Sequence, residues 1–141
     1  MRTRNTYAAT MSAAVLVGSV VAAVPAHAGG GAFTERGGGC SNNSSWTMKA
    51  KPDSGRIEME FSVETRRVGQ RWTVRVTDNR RLVFSGNRVT NRRSRSLSVD
   101  RMTANRVGTD RFVARAKNAR TGEVCRGHVA LRAAGSSGGS G

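Results

Sequence analysis

Apolar and polar residues alternate along most of this chain in short runs that are separated by turn-forming residues. In "RIEMEFSVET" (residues 56–65), every second side chain from Ile57 to Val63 is apolar, whereas the side chains between them are acidic or polar. A repeat of two residues is typical of a half-buried β-strand and does not fit the 3.6-residue period of an amphipathic helix. The run therefore predicts a strand with one face in a hydrophobic core.

Six other runs have the same alternation: "SWTMKA", "QRWTVRVTD", "LVFSG", "TNRRSRSLSVDRM", "DRFVARAKN" and "EVCRGHVAL". Turn formers such as "KPDSG" and "DNRR" separate them at intervals that are typical of β-sandwiches. The positions in phase with the apolar face, which predict the core, are Trp46, Met48, Ile57, Met59, Phe61, Val63, Trp72, Val74, Val76, Leu97, Val99, Phe112, Val129 and Leu131. We predict an all-β fold, a single antiparallel β-sandwich of about seven strands over residues 40–132.

The first 28 residues have the features of a signal peptide. Arg2 and Arg4 precede an apolar stretch, and "AHA" at residues 26–28 is a small-residue cleavage site. The apolar stretch is about 12 residues long, which is too short to cross a bilayer. We therefore expect a secreted protein without a membrane span that begins near Gly29. Lipid attachment at Cys40 is an alternative, but a lipid-modified cysteine would directly follow the apolar stretch.

Both ends of the expected mature chain are rich in glycine. The lead "GGGAFTERGGG" (residues 29–39) and the tail "AAGSSGGSG" (residues 133–141) contain little that could enter a core. Glycine and serine in such proportions are typical of flexible segments. We predict that neither segment belongs to the folded domain.

Cys40 and Cys125 are the only two cysteines of the chain. An even number of cysteines in an exported protein favours a disulfide. A reactive or metal-binding thiol pair is the alternative, but the cysteines lack CxxC spacing and the expected mature chain has one histidine. We predict a Cys40–Cys125 disulfide that closes most of the domain.

The segment from Leu97 to Asn118 contains "GTDRF" after the apolar residues of the fifth strand, and it runs into "ARAKNARTGE" (residues 114–123). It resembles the corner between the fifth and sixth strands, and the following hairpin, of fibronectin type III and related immunoglobulin-like domains. Phe112 stands where those families have a corner tyrosine. The whole layout is similar to small exported immunoglobulin-like proteins of actinobacteria. This resemblance implies an immunoglobulin-like fold and an extracellular location, but no activity.

Few residues could support catalysis or hold a cofactor. His128 falls on the outer face of the last strand, and no nucleophile motif or set of metal ligands accompanies it. Glu58, Glu60 and Glu64 share one face of a strand. They could form the acid pair of a glycosidase, but the outer residues Arg71 and Arg75 of the next strand favour ordinary cross-strand ion pairs. We predict a protein that is not an enzyme and has no cofactor or metal.

Trp46 and Trp72 could form a stacking platform for sugars or bases. Both, however, are in phase with the apolar residues of their own strands. We therefore assign them to the core.

The remaining candidate chemistry is the positive charge. The chain has 24 Lys and Arg against 9 Asp and Glu, a net charge of +15. The candidate anion-binding residues are Arg88, Arg92, Arg93, Arg95, Arg101 and Arg106, and Arg80 and Arg81 form a second basic turn. Arginine suits phosphate and sulfate groups, but it also keeps exposed strands soluble.

These observations favour a secreted, monomeric, non-enzymatic binding or structural module with an unknown extracellular partner. The alternative is weak association with polyanions or the cell envelope through the arginines. Such anions include teichoic acids, extracellular DNA and acidic glycans.

Overall fold

The computed structural model describes residues 33–132, which form eight β-strands and no helix. The strands are β1 (Thr34–Gly39), β2 (Ser45–Asp53), β3 (Arg56–Glu64), β4 (Arg71–Asp78), β5 (Arg81–Val89), β6 (Ser96–Ala104), β7 (Thr109–Asn118) and β8 (Val124–Arg132). The predicted signal peptide, residues 29–32 of the lead and the tail lie outside the described residues. Within 33–132 there is no helix that is long and apolar enough to cross a membrane.

The strands form two four-stranded sheets, and every neighbouring pair is antiparallel. The order is β1-β2-β3-β6 in the first sheet and β5-β4-β7-β8 in the second. The chain crosses to the second sheet after β3, returns to the first after β5, and crosses again after β6. The predicted all-β antiparallel fold is confirmed at this level.

One hydrophobic core contains buried side chains from both sheets. Every residue that the sequence predicts for the interior is buried, and the largest of those that are fully buried are Trp72, Phe61 and Phe112. Ala50, Ala114, Ala116 and Phe84 extend the same cluster. Alternate side chains of each strand point inward because successive residues of a strand face opposite sides of its sheet.

Gly127 of β8 makes room for the aromatic residues of the first sheet. A Cβ at this position would lie 2.9 Å from Cε3 of Trp46 and 3.0 Å from Cε2 of Phe61. Those distances are shorter than a carbon–carbon contact allows, so a side chain here would displace a ring. The second sheet thus contributes backbone to the core where the first contributes rings.

The structure differs from the sequence-based expectation at residues 34–39, which form β1 and not a flexible lead. The domain therefore begins before Cys40 and has eight strands. Gly37, Gly38 and Gly39 pair with Thr47, Trp46 and Ser45 of β2. A Cβ on Gly38 would lie 3.0 Å from Nε1 of Trp46. Gly38 lets β1 approach the indole, so its lack of a side chain serves packing.

Two tight hairpins connect strands at one end of the molecule. Ser54 and Gly55 join β2 to β3, and Asn79 and Arg80 join β4 to β5; all four have positive φ. Two central residues with positive φ define the type I′ turn, whose twist matches that of a two-stranded hairpin. We call this the hairpin end of the molecule. The opposite, loop end carries the connections 40–44, 65–70, 90–95 and 119–123.

The predicted disulfide is confirmed, and it joins the two sheets along one side. The Cys40–Cys125 bond, with Cα atoms 4.3 Å apart, links the residue after β1 to β8. Ser41 follows the bond and pairs with β8: its N–H donates to the carbonyl of Val124 at 2.8 Å, and its Oγ accepts from the N–H of Val124 at 2.9 Å.

Arginine and phenylalanine close the opposite side, between β5 and β6. Two guanidinium groups contact the ring of Phe84 in β5, with Cζ of Arg88 at 4.3 Å and Cζ of Arg101 at 4.8 Å from its centroid. Nε of Arg88 also donates to the carbonyl of Ser98 in β6 at 3.3 Å. We call this arrangement the β5–β6 seam.

Candidate anion-binding surfaces

The carboxylates that face solvent belong to the first sheet and its hairpin, and the other carboxylates are buried. The solvent side of the first sheet and its hairpin carries Glu35, Asp53, Glu58, Glu60, Glu64 and Asp100, and Asp78, Asp110 and Glu123 are buried. Together these are the 9 acidic residues of the sequence. Within residues 33–132, none remains for the solvent side of the second sheet.

The expected pairing of the β3 glutamates with Arg71 and Arg75 is wrong. Glu58 instead binds Lys51 of β2, with Oε2 and Nζ 2.8 Å apart, and Glu60 faces Lys49 in the β2–β3 register. The hydrogen bond with Glu58 raises the pKa of Lys51. The reason is topological: β3 and β4 are consecutive in the chain but belong to different sheets.

Every charged side chain on the solvent side of the second sheet is basic. Its exposed cations are Arg71 and Arg75 of β4, Arg111, Arg115 and Lys117 of β7, and Arg126 and Arg132 of β8. We call this surface the basic face. The strands that form it, β4, β5, β7 and β8, direct their Trp and Phe rings inward, so within 33–132 the basic face has no carboxylate, and its one ring is the imidazole of His128.

Three arginines lie in one row across the basic face. Arg75 is directly opposite Arg115, and Arg115 is directly opposite Arg126. Neighbouring strands are about 4.8 Å apart, so the row has about that spacing before the long side chains diverge. Like charges that face each other directly destabilise a sheet. A bound anion would remove that repulsion.

The six arginines singled out in the sequence do not form one patch. Arg88 and Arg101 belong to the β5–β6 seam, where they contact Phe84. Arg106 lies at the hairpin end, where its N–H donates to Oδ2 of Asp110 at 3.4 Å. Arg92, Arg93 and Arg95 are exposed in the β5–β6 connection at the loop end.

Backbone hydrogen bonds attach that connection to the β3–β4 loop. The N–H of Thr65 donates to the carbonyl of Arg95 at 2.9 Å, and the N–H of Gly69 donates to the carbonyl of Thr90 at 3.1 Å. This brings Arg66 and Arg67 to the same end as Arg92, Arg93 and Arg95. The loop end is therefore a second basic region. It could not be seen in the sequence because its arginines come from two connections that are about 25 residues apart.

Two clefts open at the loop end and share Arg67, Gln70 and Thr121. One has a volume of about 330 Å³ and includes Glu123, whose carboxylate accepts from the N–H of Ser44 at 2.8 Å and from its Oγ at 2.9 Å. The other has a volume of about 310 Å³ and is lined by arginines without a carboxylate among residues 33–132. The two clefts thus differ in charge.

A pair of buried aspartates lies at the hairpin end. Asp78 and Asp110 are 3% and 0% exposed, and Oδ1 of each has no hydrogen-bond partner within residues 33–132. Burial, the charge of Asp110 and a hydrogen bond to it raise the pKa of Asp78 to about 6, against the opposing charge of Arg106. A proton shared between the carboxyls would give both oxygens a partner.

The other candidates have ordinary surroundings. His128 is exposed on β8, and its Nε2 lies 3.1 Å from Nη1 of Arg36. Trp46 and Trp72 are 8% and 0% exposed, so the indoles are in the core and offer no platform. In the part of the chain that the structure describes, no three His, Cys, Asp or Glu side chains are grouped as metal ligands.

Comparison of the chain with models of protein families, with curated proteins and with solved structures found no match. No relative therefore assigns a role to any of these residues.

Proposed function

We propose that the chain is a secreted, non-enzymatic binding module that associates with polyanions through its basic face. The observation that carries the proposal is the register of Arg75, Arg115 and Arg126 on a surface without a carboxylate in residues 33–132. On the first sheet, carboxylates lie beside Lys49 and Lys51 and relieve such repulsion. The lack of carboxylates beside the arginine row favours a ligand with many negative charges.

The absence of Trp, Tyr and Phe side chains from the described basic face narrows the mode of binding. Proteins that hold single-stranded nucleic acid stack its bases on aromatic side chains. Apart from the imidazole of His128, the binding groups of the basic face are guanidinium and ammonium groups, which contact phosphate or sulfate groups. Binding should therefore depend on charge density and salt, and not on base identity.

The fold and compartment of the proposal are also inferences. The antiparallel sheets, with crossings after β3, β5 and β6, are compatible with the Greek-key connections of an immunoglobulin-like sandwich. The disulfide supports an extracellular location because such bonds persist in oxidising compartments. An extracellular polyanion, such as a teichoic acid, DNA or an acidic glycan, would meet the basic face there.

Two triple variants with equal net charge test the proposal. One replaces Arg75, Arg115 and Arg126 by alanine, and the other replaces Arg92, Arg93 and Arg95. Affinity for heparin and for duplex DNA is measured by titration across a series of salt concentrations. We expect the first variant to flatten the plot of log affinity against log salt by about 2 to 3 units, and the second to change it by about 1 or less.

Equal losses in the two variants would mean that net charge alone acts, and would contradict the basic face as the site. Binding that is absent above about 0.15 M salt would contradict the function under physiological conditions. A ligand bound with little salt dependence would instead indicate a protein-recognition module.

A further inference from the structure

The cleft without a carboxylate at the loop end has the properties of a site for a single anion. Its wall is formed by the β3–β4 loop, the start of β4 and the β7–β8 turn, which contribute Arg67, Arg71 and Arg120. Its volume of about 310 Å³ is at the lower end of the range of small-ligand sites. Three segments that are distant in sequence thus bring three guanidinium groups to one concave surface.

An amide of the cleft wall lacks a partner. Oδ1 of Asn118 accepts from the N–H groups of Arg120 at 2.9 Å and Thr121 at 3.0 Å, which fixes the orientation of the amide. Its Nδ2 is then left buried without an acceptor in residues 33–132, although Asn118 is 1% exposed. Buried donors in folded proteins almost always have a partner, so this one indicates an acceptor that belongs to a ligand or to solvent.

The adjoining cleft shows what an anion would avoid. This cleft shares Arg67 with the cleft of Arg71 and Arg120, but the buried carboxylate of Glu123 forms part of its wall. The carboxylate would repel a negative ligand there, whereas all the charged side chains of the arginine-lined cleft are positive. The chemistry of the two walls therefore selects one of two clefts that are similar in size.

We infer that the cleft of Arg67, Arg71 and Arg120 binds one tetrahedral oxyanion, a phosphate or a sulfate group. The planar guanidinium fork donates two parallel hydrogen bonds to such a group, and several forks can share its oxygens. The group is either a free ion or the ester group of a larger ligand.

This site is independent of the basic face, with which it shares only Arg71. A flat row of arginines attracts a polymer by its total charge, whereas the concave cleft holds a single group by converging donors. Either site can therefore be absent while the other is present.

Titration of ¹⁵N-labelled protein with sodium phosphate and with sodium sulfate, at constant ionic strength, tests the inference by NMR. We expect saturable shifts of the Asn118 side-chain amide and of the backbone amides of residues 67–71 and 119–121. Arg67→Gln and Arg120→Gln should each weaken binding about tenfold, the size expected when one charged hydrogen-bonding group is lost.

Arg80→Gln is the matched control. It removes the same charge from the exposed β4–β5 turn, at the far end of the eight-residue strand β4, about 25 Å from the cleft. We expect phosphate affinity to change by less than about twofold in this variant. An equal loss in all three variants, or shifts that do not saturate, would overturn the site.

Two further measurements distinguish a free ion from an ester group, and the anion cleft from the basic face. Glycerol phosphate that binds as tightly as inorganic phosphate would identify an ester group as an acceptable ligand, and binding of the inorganic ion alone would identify the free ion. The basic-face triple variant should keep its phosphate affinity while losing heparin affinity. An unmoved Asn118 amide at saturating phosphate would refute the assigned geometry, whatever heparin does.

Discussion

At the scale of single residues, the buried Asp78–Asp110 pair makes stability depend on pH. Its raised pKa means that the folded chain binds the Asp78 proton more tightly than the unfolded chain does. The stabilisation is fully present below about pH 4 and is lost as the pH rises through about 6. The change from the ordinary pKa of 3.8 to about 6 corresponds to about 2 to 3 kcal/mol.

Asp78→Asn should remove this dependence. The amide would donate a hydrogen bond to Asp110 at every pH, so the variant gains free energy of unfolding relative to the native chain as the pH rises from about 4 to about 8. We expect the difference between the two proteins to shift by about 2 kcal/mol in favour of the variant. Urea unfolding at the two pH values measures it.

Asp100→Asn provides the control because Asp100 is exposed on β6. Its difference from the native chain should change by less than about 0.5 kcal/mol over the same range. If Asp78→Asn behaved in the same way, the two buried carboxyls would not share a proton. Arg81, Arg101 and Arg106 line the surface beside Asp78 and are present in all three proteins, so they do not obscure the comparison.

At the scale of elements, the two sides between the sheets are closed by different chemistry. The disulfide and Ser41 join the β1 side to β8, whereas the β5–β6 seam depends on Arg88, Phe84 and Arg101. Guanidinium groups that stack on a ring cover apolar surface while their outer edges stay hydrated. Two of the candidate anion-binding arginines thus have structural contacts.

Arg88→Ala should therefore destabilise the fold. It removes the contact with Phe84 and the hydrogen bond to the carbonyl of Ser98, and we expect a loss of about 1 to 2 kcal/mol in the free energy of unfolding. Arg92→Ala removes the same charge from an exposed loop position and should cost less than about 0.5 kcal/mol. Denaturant unfolding measures the free energy of unfolding of both variants. Equal losses would show that the β5–β6 seam has no structural role.

At the scale of the whole molecule, one covalent bond and one asymmetry of charge are the main features. Cys40 and Cys125 are 85 residues apart, so their bond constrains most of the unfolded domain. By the loop-entropy model, a bridge of this length stabilises the fold by up to about 4 to 5 kcal/mol.

We expect the double variant Cys40→Ala, Cys125→Ala to lose about 3 to 5 kcal/mol in the free energy of unfolding, measured in urea. Reduction of the native chain should have nearly the same effect while it retains both sulfur atoms in the core. That comparison separates the bridge from the cavity that alanine leaves. A loss below about 1 kcal/mol in the reduced chain would show that backbone pairing alone holds β1 against β8.

The asymmetry of charge is a property of the assembled sheets. The first sheet mixes acids with Lys49, Lys51 and Arg56, whereas the solvent side of the second presents cations without acids in the described residues. The molecule therefore has an electric polarity that its net charge of +15 does not express. An approaching polyanion would be oriented toward the second sheet before any contact forms.

Alternation of apolar and polar residues was sufficient to predict which side of β2, β3, β4, β6, β7 and β8 is buried. Trp46, Phe61 and Trp72 lie inside because a strand has only two faces, and burial of the face with the apolar side chains removes them from water. The pairing of Cys40 with Cys125 also needed no structure, since the chain has no other cysteine. β1 was missed because a run of glycines is compatible both with a flexible segment and with a close approach to an indole.

Which strands become neighbours was decided only by the tertiary structure. Arg75, Arg115 and Arg126 come from β4, β7 and β8, and Glu58, close to β4 in sequence, lies in the other sheet. Distance along the chain says little about neighbours when connections cross between two layers. The local pattern depends on a side chain and water alone, so the sequence determines it; a surface depends on pairing between distant segments, and only the folded chain determines that.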